Sequence, residues 1–400
     1  MNPKLNQLQP YPFQKLRNLF DGITPNPCYQ PIGLHIGAPK HPAPDFINRA
    51  LVDNLKSMES YPAMLGEISL RTSIATWLTR RFGLSAVNPE TEVIPVNGSR
   101  EALFSFAQAV IDSSALQPMV VCPNPFYQIY EGTALLAGAE PYFINTLPEN
   151  EFELDFTQVP DDVWARTQLV YVCSPNNPTG RVMSMDKWKQ LFALCDRYGF
   201  VIASDECYSE VYFEEGKAPL GALEAAHQLG RSSFPNLVVF GSLSKRSNVP
   251  GMRSGFVAGD AAILKKFLLY RTYHGCAMNP AVQAASAAAW DDEVHVIENR
   301  RQYHEKFTAI VSSMAGSSSM LVTMPDAAFY LWAKTPISDV EFTKQLYQDY
   351  NVIILPGSYL AREAHAVNPG ENFVRIALVA SLEECIEAIN RIKSLADRHT

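Results

Sequence analysis

The residues best suited to chemistry lie in one stretch, VVFGSLSKRSNVPGMRSGF, at positions 238 to 256. An apolar run leads into Ser242, Ser244 and Lys245, and Arg253 follows eight residues after the lysine. Burying a lysine at the end of a strand is costly unless the amine is paired or takes part in chemistry. A neutral lysine amine is a nucleophile and a base, whereas an arginine fork suits a phosphate or a carboxylate. Taken alone, the stretch also fits a strand end followed by a solvated basic loop.

Three further stretches place polar residues directly after apolar runs. In VIASDECYSEVYF a predicted strand ends at Asp205, and Tyr208 follows three residues later; in VCSPNNPTGR another strand ends before Asn177. In VNGSREALFSF, Gly98 and Ser99 open a predicted helix, whose first backbone N–H groups can bind an anion. Each motif has a plainer explanation, since acids cap helices and Asn-Pro-Gly runs form turns. Their significance therefore depends on what brings them together.

Seven short apolar runs between about residues 92 and 260 alternate with helical patterns and predict one sheet. They are TEVIPV, PMVVC, AEPYFI, TQLVYVC, FVIAS, NLVVFGS and GFVAG. Continuous apolar runs are typical of strands covered on both faces, which favours a mostly parallel α/β sheet. Ligands bind at the carboxyl ends of such strands. Residues that follow a run are therefore expected at that edge, namely Gly98, Asn124, Asn177, Asp205 and Ser242.

The chain of 400 residues is long enough to predict two domains. Residues 1–44 are rich in proline, so we expect an irregular, extended arm without helix that belongs to the smaller domain. Residues 45–294 are expected to form the large domain. Residues 295–400 are expected to form a small α+β domain from the strands AAFYLWAKT, NVIILPG and NFVRIALV and a final amphipathic helix.

Composition argues against several classes of function. A formal net charge of -8 with dispersed basic residues does not fit a nucleic-acid surface. Seven cysteines without a CxxC pair, and eight histidines without metal-ligand spacing, predict reduced thiols and no metal site. No apolar run approaches the roughly 20 residues of a membrane span, and the N-terminus lacks the apolar core of a signal peptide. We therefore expect a cytoplasmic protein with neither a nucleic-acid nor a membrane partner.

Taken in order, these motifs resemble the fold-type I, class I/II aminotransferases, which depend on pyridoxal 5'-phosphate (PLP). The resemblance covers nearly the whole chain. It rests on the glycine-opened helix, the loop CPNPFYQIYEG, NNPTG, Asp-x-x-Tyr about forty residues before Ser-x-Ser-Lys, the following arginine, and a late FVRIAL. It implies the PLP-dependent transferase fold type I, with a mostly parallel seven-stranded sheet in the large domain and a smaller α+β domain.

The resemblance implies catalytic roles for three residues. Lys245 would form a Schiff base with the cofactor aldehyde and then carry a proton between substrate and cofactor. A free lysine with a pKa of ~10.4 is protonated and does neither, so its site must favour the neutral amine. Asp205 would pair with the pyridine nitrogen and keep it protonated. Tyr208, together with Asn177, would hydrogen-bond the ring hydroxyl of the cofactor.

The resemblance also implies how PLP is held. The phosphate would be bound by the strand-end serines, an arginine and the start of a helix: Ser242, Ser244, Arg253, Gly98, Ser99 and Arg100. Tyr127 matches the aromatic residue that stacks on the pyridine ring. Tyr61, in a Tyr-x4-Gly-x3-Leu-Arg pattern, matches a tyrosine that reaches the phosphate of the neighbouring subunit. A homodimer with shared active sites follows from that match.

Three residues are implied in substrate binding. Arg375 in NFVRIALV matches the arginine that binds the substrate α-carboxylate, and Asn177 is expected to contact the substrate as well as the cofactor. An arginine that interrupts an apolar strand needs an anionic partner in any case. Gly37 in HIGAP matches a loop that closes over the substrate, although the family more often has an acid where Ala38 stands.

Three longer stretches narrow the substrate. LQPYPFQKLRNLFDG, PIGLHIGAPKHPAPDFI and SLSKRSNVPGMRSGFVAGD are similar to the bacterial N-succinyldiaminopimelate aminotransferases of lysine biosynthesis. That similarity implies glutamate as the amino donor and N-succinyl-2-amino-6-oxopimelate as the acceptor, with Lys40 and His41 as candidates to bind a further carboxylate. The alternatives are an aminotransferase for alanine, aspartate, aromatic or acetylornithine-like substrates, and a PLP-dependent C–S lyase of the same fold.

Overall fold

The structure is a computed structural model that describes residues 1–314, 320, 322 and 324–399. The described residues form twelve strands: β1 Ile32–Gly33, β2 Val93–Val96, β3 Met119–Asn124, β4 Glu140–Asn145, β5 Thr167–Cys173, β6 Val201–Asp205, β7 Leu237–Ser242, β8 Gly255–Gly259, β9 Tyr330–Lys334, β10 Val352–Ile353, β11 Leu355–Pro356 and β12 Phe373–Ala377. The same residues form fourteen α-helices: α1 Pro12–Leu19, α2 Asp45–Asp53, α3 Ile68–Phe82, α4 Ser99–Val110, α5 Ile129–Ala137, α6 Asp161–Trp164, α7 Met185–Tyr198, α8 Ala222–Gln228, α9 Leu243–Arg246, α10 Ala261–His274, α11 Pro280–Asp291, α12 Val294–Met314, α13 Asp339–Tyr350 and α14 Leu382–Ala396.

The large sheet contains all seven strands that the apolar runs predict. Among the described residues its order is β2-β8-β7-β6-β5-β3-β4. Strand β8 runs antiparallel to both of its neighbours, and the other neighbouring strands are parallel. The expected mostly parallel α/β sheet is therefore confirmed. Cys173 pairs with Asp205, and Asp205 with Phe240, so the carboxyl ends of β5, β6 and β7 lie side by side.

Helices cover both faces of this sheet. One face packs against a core that includes Trp77 of α3, Trp188 of α7 and Trp290 of α11. The other face packs against residues of α4, α5 and α10, among them Leu103 and Tyr130. The strands are apolar on both faces for this reason. None of the described helices is both long and apolar enough to cross a membrane.

A second core lies beside the large sheet. Strands β11, β12 and β9 form an antiparallel sheet in that order, and β1 pairs in parallel with β10. Their apolar residues pack against α12, α13 and α14. Tyr208 and Val211, which follow β6 of the large sheet, belong to this second core as well. The segment that follows Asp205 therefore joins the two cores. The domain boundaries at residues 44 and 294 stay a prediction.

The expectation of an irregular arm without helix over residues 1–44 was wrong. Helix α1 occupies Pro12–Leu19 within that segment, and residues 3–7 form a 3-10 helix. Pro12 stands at the first helical position, where proline needs no hydrogen-bond donor and its fixed φ suits the helix. Leu16 is buried against Leu355 and Leu360, with Phe13 and Leu19 beside it. Counting prolines missed this apolar face.

Arg246, the residue after the candidate lysine, is anchored between two helices. Its guanidinium is buried and donates to the backbone oxygens of Ala289 at 2.6 Å and Asp292 at 3.1 Å. It also forms an ion pair with Glu293 at 2.7 Å. The amide of Asn299 in α12 donates to the backbone oxygen of Lys245 at 3.2 Å. These bonds fix the backbone that carries the lysine.

Candidate active site

The carboxyl ends of β5, β6 and β7 open onto one cavity of about 390 Å³. It lies where ligands bind in sheets of this kind. Most of the predicted residues are among those that line it: Gly37, Ser99, Arg100, Tyr127, Asn177, Asp205, Tyr208, Ser242, Ser244, Lys245, Arg253 and Arg375. Residues that are distant in sequence thus meet in one place.

Lys245 projects into this cavity from the short helix α9. Ser242 caps that helix, because its hydroxyl accepts from the backbone N–H of Ser244 at 3.1 Å. The lysine Nζ donates to the backbone oxygen of Gly37 and lies 5.3 Å from the centre of the Phe329 ring. Burial above all, helped by nearby guanidinium groups of which Arg375 comes first, lowers the pKa of Lys245 to about 8. The amine is therefore neutral in a large fraction of molecules slightly above neutral pH.

Asp205 ends β6 on the floor of the cavity and is 5 % exposed. Its carboxylate accepts from the Tyr130 hydroxyl at 2.8 Å and from the backbone N–H of Cys207 at 3.3 Å. Burial raises the pKa of Asp205 despite these bonds. A buried carboxylate that is bonded only to neutral donors is well placed to pair with a cation in the cavity.

The start of α4 and Arg253 form an anion cradle. Gly98, just before α4, has φ +84°, and a Cβ built there would lie 2.1 Å from a guanidinium nitrogen of Arg253. Only glycine therefore allows this approach. The Arg253 guanidinium donates to the backbone oxygen of Pro250 at 2.8 Å. Backbone N–H groups at the start of a twelve-residue helix, together with this guanidinium, suit a phosphate. Gly98 supports the cradle from behind rather than lining the cavity.

Arg100 and two tyrosines form one rim of the cavity. The guanidinium of Arg100 donates to the Tyr127 hydroxyl through Nε, and to the Tyr11 hydroxyl at 3.2 Å. The Tyr127 ring packs edge-on against Tyr130 at 5.9 Å. The start of α1 brings Tyr11 to this rim, a residue that the sequence analysis did not select.

Arg375 lies on β12 and is only 4 % exposed. One of its terminal nitrogens donates to Asn177 Oδ1 at 2.9 Å, and the other donates to the backbone oxygen of His35 at 2.8 Å. Its Nε is buried and has no hydrogen-bond partner among the described residues. No carboxylate side chain pairs with it among the ion pairs of the described residues. A carboxylate that enters the cavity would meet an unneutralised guanidinium.

Tyr330 is the site residue that the sequence analysis missed most clearly. It is the first residue of β9 and is 2 % exposed. Its hydroxyl lies 2.8 Å from that of Tyr208. In a strand over AAFYLWAKT, alternation puts Tyr330 and Trp332 on the same face. Nothing in one strand's pattern says what that face meets, so the signal was incomplete. Other lining residues that were not predicted are Pro12, Phe13, Ile36, Gln128, Cys173, Cys207, Pro250 and Leu360.

Three predicted residues lie away from the cavity. Tyr61 is fully exposed on the surface of the chain. His41 was a candidate for binding a further carboxylate, but it packs against α12, with Asn299 at 2.8 Å and Lys306 at 2.6 Å from its ring nitrogens. Lys40 is exposed and is not part of the lining. Neither residue lines the cavity in this structure, and their role in binding a further carboxylate stays a prediction.

Comparisons with known proteins agree with this geometry. Residues 29–392 match the family model described as aminotransferase class I and II. The chain belongs to the class I/II aminotransferase family. The protein is therefore an aminotransferase that uses PLP as its cofactor.

Individual relatives cover nearly the whole chain. An LL-diaminopimelate aminotransferase of Syntrophobacter fumaroxidans is 32% identical over 400 residues, with 98% of each chain covered. One of Nitratidesulfovibrio vulgaris is 31% identical over 369 residues, or 91% of each chain. A crystal structure of an aminotransferase from Neisseria meningitidis superposes with a TM-score of 0.95 at 52% identity, covering 99% of this chain and 100% of that one.

The cavity of this aminotransferase fits PLP group by group. The cradle of Arg253 and the start of α4 suits the phosphate, and the buried Asp205 suits a protonated pyridine nitrogen. The amine of Lys245, with its pKa lowered to about 8, suits a reaction with the aldehyde. The roles of the individual residues are taken up as proposals below.

Proposed function

We propose that this aminotransferase transfers an amino group between glutamate and N-succinyl-2-amino-6-oxopimelate. The observation that carries the proposal is the charge of the cavity. Its described lining contains Arg100, Lys245, Arg253 and Arg375 and, as its acid, Asp205 alone. With Lys245, Arg253 and Asp205 assigned to PLP, Arg100 and Arg375 are the charged side chains of this lining that are left for substrate. Such a cavity suits substrates with several carboxylates and no second ammonium group, which the succinylated acceptor provides.

The chain's residues divide the work. PLP, when bound, supplies an electron sink for the pair of electrons left at the substrate Cα. Asp205 would hold the ring nitrogen protonated, and Lys245 would bind the cofactor aldehyde and, once displaced by substrate, move a proton to and from the substrate Cα. Arg375 would fix the α-carboxylate with two parallel bonds. Ser242, Ser244 and Arg253 would hold the phosphate.

Arg100 is our candidate for the distal carboxylate of the acceptor. Its side chain lies on the cavity rim, where it donates to the neutral hydroxyls of Tyr127 and Tyr11. Its charge is therefore available, unlike that of Arg362, which is paired to Glu131 at 2.6 Å. The backbone at the start of α4, rather than this side chain, would serve the phosphate.

LL-Diaminopimelate itself is the second candidate substrate. Curated relatives at 31% and 32% identity are named LL-diaminopimelate aminotransferases, which supports a substrate of the diaminopimelate class without choosing its succinylated form. The free diamine carries a second ammonium group, which would need an acid other than Asp205. The two candidates therefore differ at the distal end of the substrate, where the rim would bind a succinyl carboxylate in one case and an ammonium group in the other.

A substrate panel decides between them. The purified holoenzyme is assayed with N-succinyl-LL-diaminopimelate, LL-diaminopimelate, alanine, aspartate and phenylalanine as donors to 2-oxoglutarate. We expect kcat/KM for the succinylated substrate to exceed the values for the three short amino acids by at least ~100-fold, the order expected for lost charge-assisted contacts. A higher value for LL-diaminopimelate would select the second candidate. Equal values for the short amino acids would reject the diaminopimelate class. Release of pyruvate and ammonia from a sulfur amino acid would reveal the C–S lyase alternative.

We also propose a homodimer with shared active sites. Tyr61 is fully exposed, and other large apolar side chains nearby in sequence are exposed too: Val52, Leu55, Met58 and Ile68. Apolar surface of this kind is normally covered by a partner. Mixing Lys245→Ala and Tyr61→Ala chains should restore about a quarter of the wild-type sites if Tyr61 serves the neighbouring subunit. No restoration, with each variant inactive alone, would reject shared sites.

A further inference from the structure

Tyr330 occupies the junction between the residues proposed to bind the substrate and those proposed to bind the cofactor. Its side chain is buried, and its hydroxyl approaches Gly37 so closely that a Cβ at that position would lie 1.9 Å from the oxygen. The backbone oxygen of the same glycine accepts from the amine of Lys245. The Tyr330 side chain therefore contacts Tyr208, Arg375 and Gly37, three residues of the cavity that contains Lys245.

The pairing of β9 and β12 explains how the ring reaches the arginine. Arg375 pairs with Trp332, and Tyr330 pairs with Ala377. Arg375 and Tyr330 are therefore diagonal neighbours on the same face of the antiparallel pair, within reach of each other's long side chains. The guanidinium carbon lies 4.5 Å from the centre of the Tyr330 ring. A desolvated cation over a ring face is held by the charge distribution of the ring.

The hydroxyl of Tyr330 has a different partner from its ring. It lies 2.8 Å from the hydroxyl of Tyr208, and the described residues give neither oxygen another hydrogen-bond partner. Burial raises the pKa of both phenols, so both keep their protons. In such a pair one hydroxyl donates to the other, and the accepting hydroxyl still has a proton to donate elsewhere. A Tyr208 that accepts from Tyr330 can therefore donate to a group in the cavity more strongly, because hydrogen bonds in a chain polarise one another.

We propose that Tyr330 is a positioning residue that orients Arg375 through its ring face and strengthens the hydrogen bond that Tyr208 donates to the cofactor ring oxygen through its hydroxyl. The inference rests on the proposed roles of Tyr208 and Arg375. It adds a direct physical link between the carboxylate subsite and the cofactor subsite. Because the two effects use different parts of one side chain, they can be separated by substitution.

Tyr330→Phe removes the hydroxyl and keeps the ring. A donor to the cofactor ring oxygen favours its more anionic form, so weakening the donor should raise the pH midpoint of the visible absorbance change of bound PLP. We expect an upward shift of about 0.3 to 1 pH unit, the size of one net hydrogen bond. The other charged groups in the described lining, Arg100, Asp205, Lys245, Arg253 and Arg375, are unchanged in this variant. In a Tyr208→Phe background the same substitution should add little, since the two act through one bond.

Tyr330→Leu removes the ring as well. KM for glutamate should then rise roughly 3- to 30-fold, the range for losing a buried cation–π contact, whereas the affinity for PLP should change less than twofold. The matched control is Tyr303→Phe. Tyr303 is equally buried, stacks on Phe329, and has a hydroxyl without a hydrogen-bond partner among the described residues. Its variant should leave both the midpoint and KM at wild-type values.

The outcomes separate this inference from the function on which it rests. If the wild-type protein binds PLP and transaminates, and Tyr330→Phe shows the wild-type midpoint, the proposed chain of hydroxyls is wrong. Fully additive shifts in the double variant would also overturn it, and an unchanged KM in Tyr330→Leu would overturn the orienting role. If the wild-type protein neither binds PLP nor transaminates, the proposed function fails first and the inference falls with it.

Discussion

Two walls of the cavity are built in different ways. The cofactor wall consists of Ser99, Asp205, Ser242, Lys245 and Arg253, which lie at or close to the ends of strands of the large sheet or in the helices that follow them. Because neighbouring parallel strands end at the same edge, short motifs suffice to bring these residues together.

The substrate wall has no such common support. Tyr11 comes from the start of α1, Gly37 from the segment after β1, and Tyr330 and Arg375 from β9 and β12. Chain segments more than 300 residues apart meet there, as when the Arg375 guanidinium donates to the backbone oxygen of His35. A wall assembled in this way can vary in one segment without disturbing the sheet. We therefore expect changes in the cofactor wall to alter kcat and the spectrum of bound PLP, and changes in the substrate wall to alter KM.

Lys245→Ala should give the largest effect and the clearest case for the cofactor wall. We expect kcat to fall at least about 1000-fold, because the nucleophile and the proton carrier are lost together. PLP should still bind through the phosphate cradle, with the spectrum of the free aldehyde. Lys265→Ala, an exposed lysine on α10, is the control and should leave kcat unchanged. Near-normal transamination by Lys245→Ala would refute the active-site assignment.

Asp205→Asn should lower kcat roughly 10- to 150-fold, since an amide gives up a charge-assisted bond to the ring nitrogen. KM for glutamate should change little, because the proposed partner of Asp205 is the cofactor ring nitrogen and the proposed partner of the substrate carboxylate is Arg375. Steady-state kinetics with Asp196→Asn, an exposed acid of α7, provides the comparison. An unchanged kcat would return Asp205 to a purely structural role at the end of β6.

Arg375→Ala should raise KM for both glutamate and the oxo-acid acceptor by roughly 10- to 100-fold, because both bind through an α-carboxylate. The spectrum of bound PLP should stay close to that of the wild type. Arg398→Ala removes an arginine that is half exposed and paired with Asp349, and should have no effect on KM. A variant that lost PLP instead would show that the two walls are not separate.

The pH dependence of PLP capture should give the smallest effect. It tests whether Arg375, on the substrate wall, influences Lys245, on the cofactor wall. Burial lowers the pKa of Lys245 to about 8. The neutral amine is the reactive form, so the rate at which the apo protein captures PLP should rise with pH and level off above about 8. An exposed lysine would instead keep gaining rate toward pH ~10.4. Since the Arg375 charge contributes to the lowered pKa, Arg375→Ala should move this midpoint upward. A midpoint near 10 in the wild-type protein would contradict the burial of the amine.

The sequence predicted the cofactor wall better than the substrate wall for a physical reason. Asp205 and Ser242 follow apolar runs, so the strand pattern alone placed them at one edge, and all seven strands of the large sheet are present. Tyr330 lies on a strand whose partner, β12, is more than forty residues away, and no local pattern states which face of that strand meets the cavity. Tyr11 was missed with α1, because prolines hid an apolar helix face. The orientation of His41 depended on its contact with Asn299, which again no local pattern encodes.

Two arginines that follow Lys245, Arg246 and Arg253, differ in how accessible their guanidinium groups are to a reagent. Arg246 is 1 % exposed, and its guanidinium donates to Ala289, Asp292 and Glu293. Arg253 is exposed, and among the described residues its guanidinium donates only to Pro250. A dicarbonyl that labels guanidinium groups would therefore mark Arg253 and spare Arg246. A phosphate seated in the cradle would shield Arg253 in turn. Mass spectrometry of the labelled peptide could thus report whether the cradle is filled in a sample that has never been given a substrate.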